Sequence, residues 1–223
     1  MKFRAPRFFL ISIALLFVIP GTQAQTSSSS NSPKHTKKPS AANSDLDLGT
    51  VANNVYRSKT LAFSIKIPEA WVLRTDEMNA RDEETAKPDP AGAVPGVAPK
   101  VLLAAFSRPP EARAEEVNSS ILIAAEPLTS YPGLKDAAQY FEPLTEVAKA
   151  QGFTEDEEPY ELAVGTKTLV RADFHKDVGS RVMHQSTLAM LSHGYAVSIT
   201  IIAGTEDEIE ERIDGLTFSP STK

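Results

Sequence analysis

Three side chains in the last third of the chain have the types and spacing that could bind a metal ion. Asp173 and His175 are two residues apart on one predicted strand, so both project from the same face. A short turn at Gly179-Ser180 returns the chain, and one of two plausible registers places His184 opposite Asp173. A carboxylate and two imidazoles can hold Zn²⁺ or a similar ion with open positions. Asp173, His175 and His184 are therefore the predicted metal ligands.

A polar sheet face explains the same residues without a metal. Lys176 and Arg181 lie nearby and can pair with the acid, and the chain has only four histidines.

The sequence carries no HExxH, GxSxG or GxGxxG motif and no phosphate-cradling glycine loop. It has no cysteine, which excludes disulfides, thiolate metal sites and a cysteine nucleophile. We therefore expect no catalytic residues and no cofactor, with metal-assisted hydrolysis at the three ligands as the enzymatic alternative.

The elements that would position these residues are mostly strands. Residues 61–67 alternate apolar and other side chains, the period of a half-buried strand. Further strands are predicted at 101–106, 121–125, 162–164, 168–174, 182–191 and 195–202. The last four follow one another on short connections, including the turn Ser192-His193-Gly194, and such neighbours must be antiparallel. The predicted fold class is α+β with a mainly antiparallel sheet.

Two helices are predicted between and after these strands. Residues 134–150 carry an apolar stripe at helical spacing, but Pro143 interrupts it. Either the helix kinks there, or it breaks and Pro143 opens a second short helix. The last helix begins at Thr205, which with Glu208 forms a capping box, and ends at Gly215.

The first 50 residues precede the domain. Residues 1–24 have a basic start, an apolar core and the small-x-small pattern at Thr22-Gln23-Ala24, which predicts a signal peptide. Its apolar run is shorter than the roughly 20 residues that span a bilayer, and no second spanning run follows. Residues 25–50 are dominated by Ser, Asn, Pro and Lys and predict a disordered polar linker. The domain is expected at 51–219, with a flexible acidic insertion at 75–99 that its prolines keep from forming helix or strand.

Charge and composition narrow the location and the partners. Cleavage after Ala24 removes three basic and no acidic residues, so the net charge of -6 becomes -9. An acidic chain does not fit nucleic-acid binding. A lipoprotein anchor would need a cysteine, which the chain lacks. A cysteine-free exported chain fits the bacterial periplasm or the extracellular space.

The order of elements resembles PsbP-like domains. A short strand with Tyr56 precedes Leu61-Ala-Phe-Ser-Ile-Lys-Ile-Pro-Glu-Ala-Trp71, which is similar to the opening of these domains. The helix after Tyr131-Pro-Gly, the hairpins and the closing helix before Leu216-Thr-Phe218 extend the resemblance to residues 52–218. It implies a three-layer α/β/α sandwich around an antiparallel sheet. The resemblance implies binding rather than a reaction. It carries over no active site, because the matched residues are packing residues.

The sequence as a whole predicts an exported, non-enzymatic binding module of the bacterial cell envelope. Its expected partner is an envelope protein or component that the sequence does not identify. The alternatives are a metal-dependent hydrolase and a chaperone for apolar segments.

Overall fold

A computed structural model of the chain describes residues 46–85, 99–112, 114 and 116–219. In chain order the strands are β1 (Thr50–Ala52), β2 (Val55–Ser58), β3 (Phe63–Lys66), β4 (Val72–Leu73), β5 (Lys100–Phe106), β6 (Ser120–Pro127), β7 (Thr154–Glu155), β8 (Tyr160–Val164), β9 (Lys167–Val178), β10 (Arg181–Ser192), β11 (Tyr195–Ala203) and β12 (Leu216–Phe218). The helices are α1 (Thr75–Thr85), α2 (Phe141–Ala150) and α3 (Glu206–Asp214), with a 3₁₀ turn at Leu128–Ser130. The predicted signal peptide and most of the predicted linker lie outside these residues.

The described strands form two sheets in which neighbouring strands are antiparallel. The larger sheet has the order β4-β5-β6-β11-β10-β9-β7, and β8 also pairs with β9. The smaller sheet has the order β1-β2-β3-β12. Two-residue turns join β9 to β10 and β10 to β11, which leaves no room for a parallel crossover. The predicted α+β class with a mainly antiparallel sheet is confirmed.

Side chains alternate between two buried faces along the long central strands. Leu169, Leu188 and Ile199 belong to one apolar cluster, which the smaller sheet and α3 cover. Ala172 and Ala189 belong to a second cluster, which α2 covers. One face thus carries a second sheet as well as a helix. The three-layer α/β/α form of the prediction is therefore not confirmed.

Both helices predicted after residue 130 are present, but the first is shorter than its apolar stripe. The predicted helix over 134–150 is interrupted rather than kinked. Helix α2 begins at Phe141, so Pro143 lies in its first turn, where the missing N–H costs nothing. The predicted cap of α3 is confirmed, because Thr205 Oγ1 accepts from the Glu208 N–H at 3.2 Å. Among the described residues, no helix is long and apolar enough to cross a membrane.

The predicted acidic insertion contains a helix. Its first eleven residues form α1, so the prediction that 75–99 avoids helix is wrong for this part. The prolines begin only at Pro88, and a proline restricts itself and the residue before it. Asp76 and Glu77 in the first turn also favour a helix start. Residues 86–98 lie outside the described part.

The predicted linker ends earlier than residue 50. Leu46 packs against the first apolar cluster, and the Tyr56 hydroxyl donates to the Leu48 carbonyl at 3.1 Å. Gly49 has a φ of 75°, and a Cβ there would lie 2.5 Å from the Tyr56 ring. Residues 46–49 therefore belong to the fold rather than to the linker.

A carboxylate shared by two tyrosines fixes the segment that leads into α2. Glu126, near the end of β6, accepts a hydrogen bond from the Tyr131 hydroxyl and one from the Tyr140 hydroxyl, each at 2.5 Å. The two rings meet edge to face with centroids 5.3 Å apart. Tyr140 is fully buried, so its hydrogen bond satisfies a group that water does not reach.

We expect Tyr140→Phe to lower the free energy of unfolding by about 1–3 kcal/mol, because it leaves one Glu126 oxygen without this donor. Tyr131→Phe is the matched control and should cost less, since Tyr131 is only partly buried and water can replace its hydroxyl. Urea unfolding at neutral pH measures both. Equal costs for the two variants would contradict this account.

The same phenol predicts a loss of stability in alkali. Burial, and then the charge of Glu126, raise the pKa of Tyr140 far above its usual value near 10. Above pH 10 the unfolded chain loses this proton while the native chain keeps it, so stability is complete below pH 10 and falls above it. Urea unfolding between pH 8 and 11 should show a shallower decline for Tyr140→Phe than for the wild type. Parallel curves would refute the assignment.

Candidate functional site

The structure places the three predicted metal ligands on one face but in a different register. His184 lies opposite His175, and Asp173 lies opposite Ser186. The register that puts His184 opposite Asp173 is therefore wrong. The turn explains the difference: Gly179 takes a φ of 64° at the first of two turn positions, so Val178 pairs with Arg181.

Asp173 is bonded to protein groups. It accepts from Arg171 Nε at 2.9 Å and from the Tyr160 hydroxyl at 2.8 Å. Arg171 is buried and also donates to Glu210 of α3 at 2.6 Å. The cation that pairs with this acid is therefore Arg171, rather than the Lys176 or Arg181 of the polar-face interpretation.

Burial and the hydrogen bonds of this network shift the pKa values of Tyr160 and Arg171. Burial and then the hydrogen bond to Asp173 raise the pKa of the Tyr160 phenol. Burial alone would lower the pKa of Arg171, but its bonds to Glu210 and Asp173 outweigh burial and raise it. Arg171 therefore stays charged, and the network fastens β8, β9 and α3 together.

Each predicted histidine has a separate acidic neighbour. His175 Nδ1 is hydrogen-bonded to Asp156, and His184 Nδ1 lies 3.7 Å from a Glu206 oxygen. Within the described residues, no group of three or more His, Asp or Glu side chains could hold a metal ion. The structure does not bring the three expected ligands together, and metal binding by them stays a prediction.

An open cleft of about 870 Å³ lies where three segments of the chain meet. These segments are the β5–β6 loop, the β10 strand of the β9–β10 hairpin near its turn, and the junction of β11 with α3. The residues that line the cleft are Ser107, Arg108, Glu116, Val117, Ser119, Arg181, Val182, His184, Gly204, Thr205 and Glu208. His184 is thus the predicted site residue that the structure places in a cleft.

The β5–β6 loop is held in shape by its own side chains. Asn118 Oδ1 accepts from the Ser107 hydroxyl at 2.9 Å and from the Arg108 N–H at 3.1 Å. The Arg108 guanidinium donates to the backbone carbonyls of Glu116 and Val117. These bonds close the loop on itself, so this wall of the cleft is formed before any ligand arrives.

Glu208 joins that loop to the start of α3. One of its carboxylate oxygens accepts from the Ser119 hydroxyl at 3.3 Å and from the Gly204 N–H at 3.2 Å. On the hairpin wall, Val182 is a large apolar side chain that remains 38% exposed. The cleft therefore offers polar groups in fixed positions, which can hydrogen-bond to a ligand, beside the exposed Val182 side chain, which can make apolar contact with it.

Sequence reasoning missed this cleft because its walls come from three segments far apart in the chain. Asn118 carries no motif that predicts its role in the loop. Thr205 and Glu208, which line the cleft, do form a local sequence pattern, but this pattern is a capping box and predicts the start of a helix rather than a binding site.

Comparisons with solved structures found similarities of low sequence identity. No family model and no curated protein matches the sequence. The chain is similar to cyanobacterial PsbP from Synechocystis, with 14% identity and a TM-score of 0.44 over 77% of this chain and 99% of that one. It is similar to LpqN, involved in cell envelope biogenesis of Mycobacterium tuberculosis, with 15% identity and a TM-score of 0.35 over 71% of this chain and 83% of that one.

A third similar structure comes from Bacteroides thetaiotaomicron. Its identity is 12% and its TM-score 0.38, and the match covers 76% of this chain. The chain spans 50% of the length of that protein. The PsbP structure carries the name of the family that the sequence resembles.

The separate partners of the three predicted ligands lead to a test with metal ions. We expect Zn²⁺ to leave the Tm of the wild type unchanged, because Asp173 is bonded to Arg171 and Tyr160. A thermal shift series with divalent ions measures this, with His175→Ala and His184→Ala as controls. A Zn²⁺-dependent rise in Tm that either variant abolishes would restore the metal site.

Proposed function

We propose that this chain is an exported, non-enzymatic binding module that contacts a protein of the bacterial cell envelope through the cleft. The observation that carries the proposal is the convergence of three segments far apart in the chain on one open cleft, one wall of which its own side chains hold in place. Two of these segments, the β5–β6 loop and the β11–α3 junction, connect elements of a rigid sheet, and binding residues concentrate in such connections.

The lining favours a protein surface over other ligands. Eight of the eleven lining residues have polar or charged side chains, whereas small-molecule pockets are mostly apolar. Arg108 and Arg181 are balanced by Glu116 and Glu208, which does not match a polyanion such as nucleic acid. Exposed Val182 supplies the apolar contact that a protein interface needs at its centre.

The export part of the proposal rests on the sequence. Residues 1–24 have the three regions of a signal peptide, and the chain contains no cysteine for a lipid anchor. We place the mature protein in the periplasm or outside the cell.

The two alternatives receive less support. A hydrolase at Asp173, His175 and His184 needs a shared metal, and these side chains have separate partners. A chaperone for apolar segments needs a continuous apolar surface. Among the described residues the exposed large apolar side chains are Leu48, Val51, Leu73, Val178 and Val182, and the last two project from opposite faces of their hairpin.

The test is capture of partners from envelope extracts with the immobilised mature chain. We expect Val182→Asp to reduce capture about tenfold, because it puts a charge into the apolar part of the contact. Val178→Asp is the matched control: Val178 is exposed on the same hairpin but projects from the opposite face, outside the cleft lining. It should leave capture unchanged.

Quantitative mass spectrometry of the captured proteins measures the effect, and urea unfolding confirms that both variants fold. Equal capture by the wild type and Val182→Asp would contradict the cleft as the binding surface. No partner at any salt concentration, together with turnover of some substrate, would contradict the binding function.

A further inference from the structure

Strand β10 extends beyond the end of its neighbour β11. The last pair between these two strands is His184 with Ala203, while on its other side β10 pairs with β9 as far as Arg181. The three β10 residues before His184 therefore have a neighbouring strand on one side only. The cleft lies on the side that β11 leaves open, because it is lined by Val182 and by the β11–α3 junction.

The hydrogen-bond pattern shows that the backbone of Val182 faces this open side. The Asp173 carbonyl of β9 accepts from the Asp156 N–H at 2.9 Å, so Asp173 does not exchange bonds with its β10 partner Ser186. Bonded and non-bonded pairs alternate along an antiparallel ladder, so the pair of Asp177 with Val182 is also non-bonded. The Val182 N–H and C=O therefore point away from β9, toward the line of β11.

The residue of the chain that would pair with Val182 is used elsewhere. In the β10–β11 register this residue would be Thr205, two residues beyond the end of β11. Thr205 instead caps α3, and its carbonyl accepts from the Ile209 N–H at 3.4 Å. The Gly204 N–H is likewise bonded to the Glu208 carboxylate. Helix α3 thus takes the chain out of the sheet, and no hydrogen bond among the described residues satisfies the Val182 N–H or C=O.

The position beside Val182 differs from an outer edge of the sheet because it has a second wall. The β5–β6 loop, which the Asn118 bonds hold in shape, faces β10 across the cleft. This loop also closes the inner end of the cleft, since a Cβ on Gly204 would lie 3.7 Å from the Val117 Cβ. Asp177, in contrast, directs its backbone to the outer edge of the hairpin, where β7 no longer accompanies β9.

The lining of the cleft specifies which kind of segment fits beside Val182. Its charges balance, with Arg108 and Arg181 against Glu116 and Glu208, so an uncharged segment is the complement. Side chains of opposed residues lie on the same face, so the residue opposite Val182 meets an apolar side chain that is 38% exposed. A β-branched apolar residue suits that position, and proline does not, because it has no N–H.

We propose that the partner adds a short extended segment to the larger sheet, in line with β11 and antiparallel to β10, and exchanges two backbone hydrogen bonds with Val182. The segment is uncharged and has a β-branched apolar residue opposite Val182. This inference rests on the proposed function, because it takes the cleft as the binding surface and specifies the form of the partner there. In such strand addition the main-chain bonds give affinity and the side-chain contacts give specificity.

One substitution removes the backbone donor and leaves the bonds of the hairpin in place. Val182→Pro deletes the N–H, retains an apolar side chain and breaks no bond to β9, and proline is tolerated where the N–H of a strand faces outward. Asp177→Pro is the matched control, because Asp177 belongs to the same non-bonded pair and its N–H points to the opposite edge. Asp177→Asn accounts for the lost charge. Urea unfolding confirms that the variants fold.

The probe is the uncharged peptide acetyl-Thr-Val-Thr-Val-Thr-amide, and a capped pentaproline, which has no N–H, is its control. In the isotope-labelled mature chain we expect a saturating amount of the first peptide to slow hydrogen exchange of the Val182 amide at least about tenfold. Pentaproline should leave this amide unchanged. Binding is followed by the amide shifts of Ser119 and Gly204, which line the cleft. Val182→Pro should weaken it about tenfold, and Asp177→Pro should not change it.

Unchanged Val182 exchange at every soluble concentration of the peptide would overturn the proposal, and so would equal peptide binding by the wild type and Val182→Pro. Equal losses in Val182→Pro and Asp177→Pro would place the effect in the hairpin as a whole and would also overturn it.

Capture from envelope extracts separates this inference from the proposed function. We expect Val182→Pro to lose capture and Asp177→Pro to keep it. Capture that is lost in Val182→Asp but kept in Val182→Pro would leave the cleft as the binding surface and overturn strand addition alone. Capture that Val182→Asp leaves unchanged would contradict the proposed function and, with it, the partner segment.

Discussion

The strict alternation of side chains along β9, β10 and β11 is the constraint on which the rest of the structure depends. Leu188 and Ala189 are adjacent and both fully buried, one in each apolar cluster. A slip of one residue would exchange the two clusters and send side chains of one size into space shaped for another. Because both faces of β9, β10 and β11 are buried, their register is fixed. The register in turn decides which face each side chain near the hairpin ends projects from.

That register decides which polar groups meet. Arg171 is a charged residue on a buried, mostly apolar face, so its charge must be paired inside the fold. Asp173 of β9 and Glu210 of α3 form ion pairs with it. The acid that the sequence offered as a metal ligand is thereby used to neutralise a buried guanidinium. His184 lies closer to the open end of the same face, where it borders the cleft.

Features that depend on neighbours in sequence could be predicted, and those that depend on distant neighbours could not. The α3 cap at Thr205 and the turn at His193-Gly194 follow from local chemistry, and the structure confirms both. The β9–β10 register depends on which two residues form the turn, and the sequence around Gly179 allows two answers. Asn79 and Val101 are 22 residues apart, and nothing near Asn79 indicates that its carboxamide faces a strand. Helix α1 is an exception, because local signals favour it: Asp76 and Glu77 lie in its first turn, and the prolines that begin at Pro88 restrict only themselves and the residue before each.

Arg74 connects β5 and α1 to the loop that lines the cleft. Its N–H bonds the β5 edge, while its guanidinium contacts Glu77 of α1 at 2.6 Å and Glu111 of the β5–β6 loop at 3.0 Å. The same loop closes around Asn118 and lines the cleft. Exposed ion pairs contribute little free energy, so these contacts orient α1 and the loop more than they hold them. The wall of the cleft therefore depends on the Asn118 bonds more than on the ion pairs of Arg74.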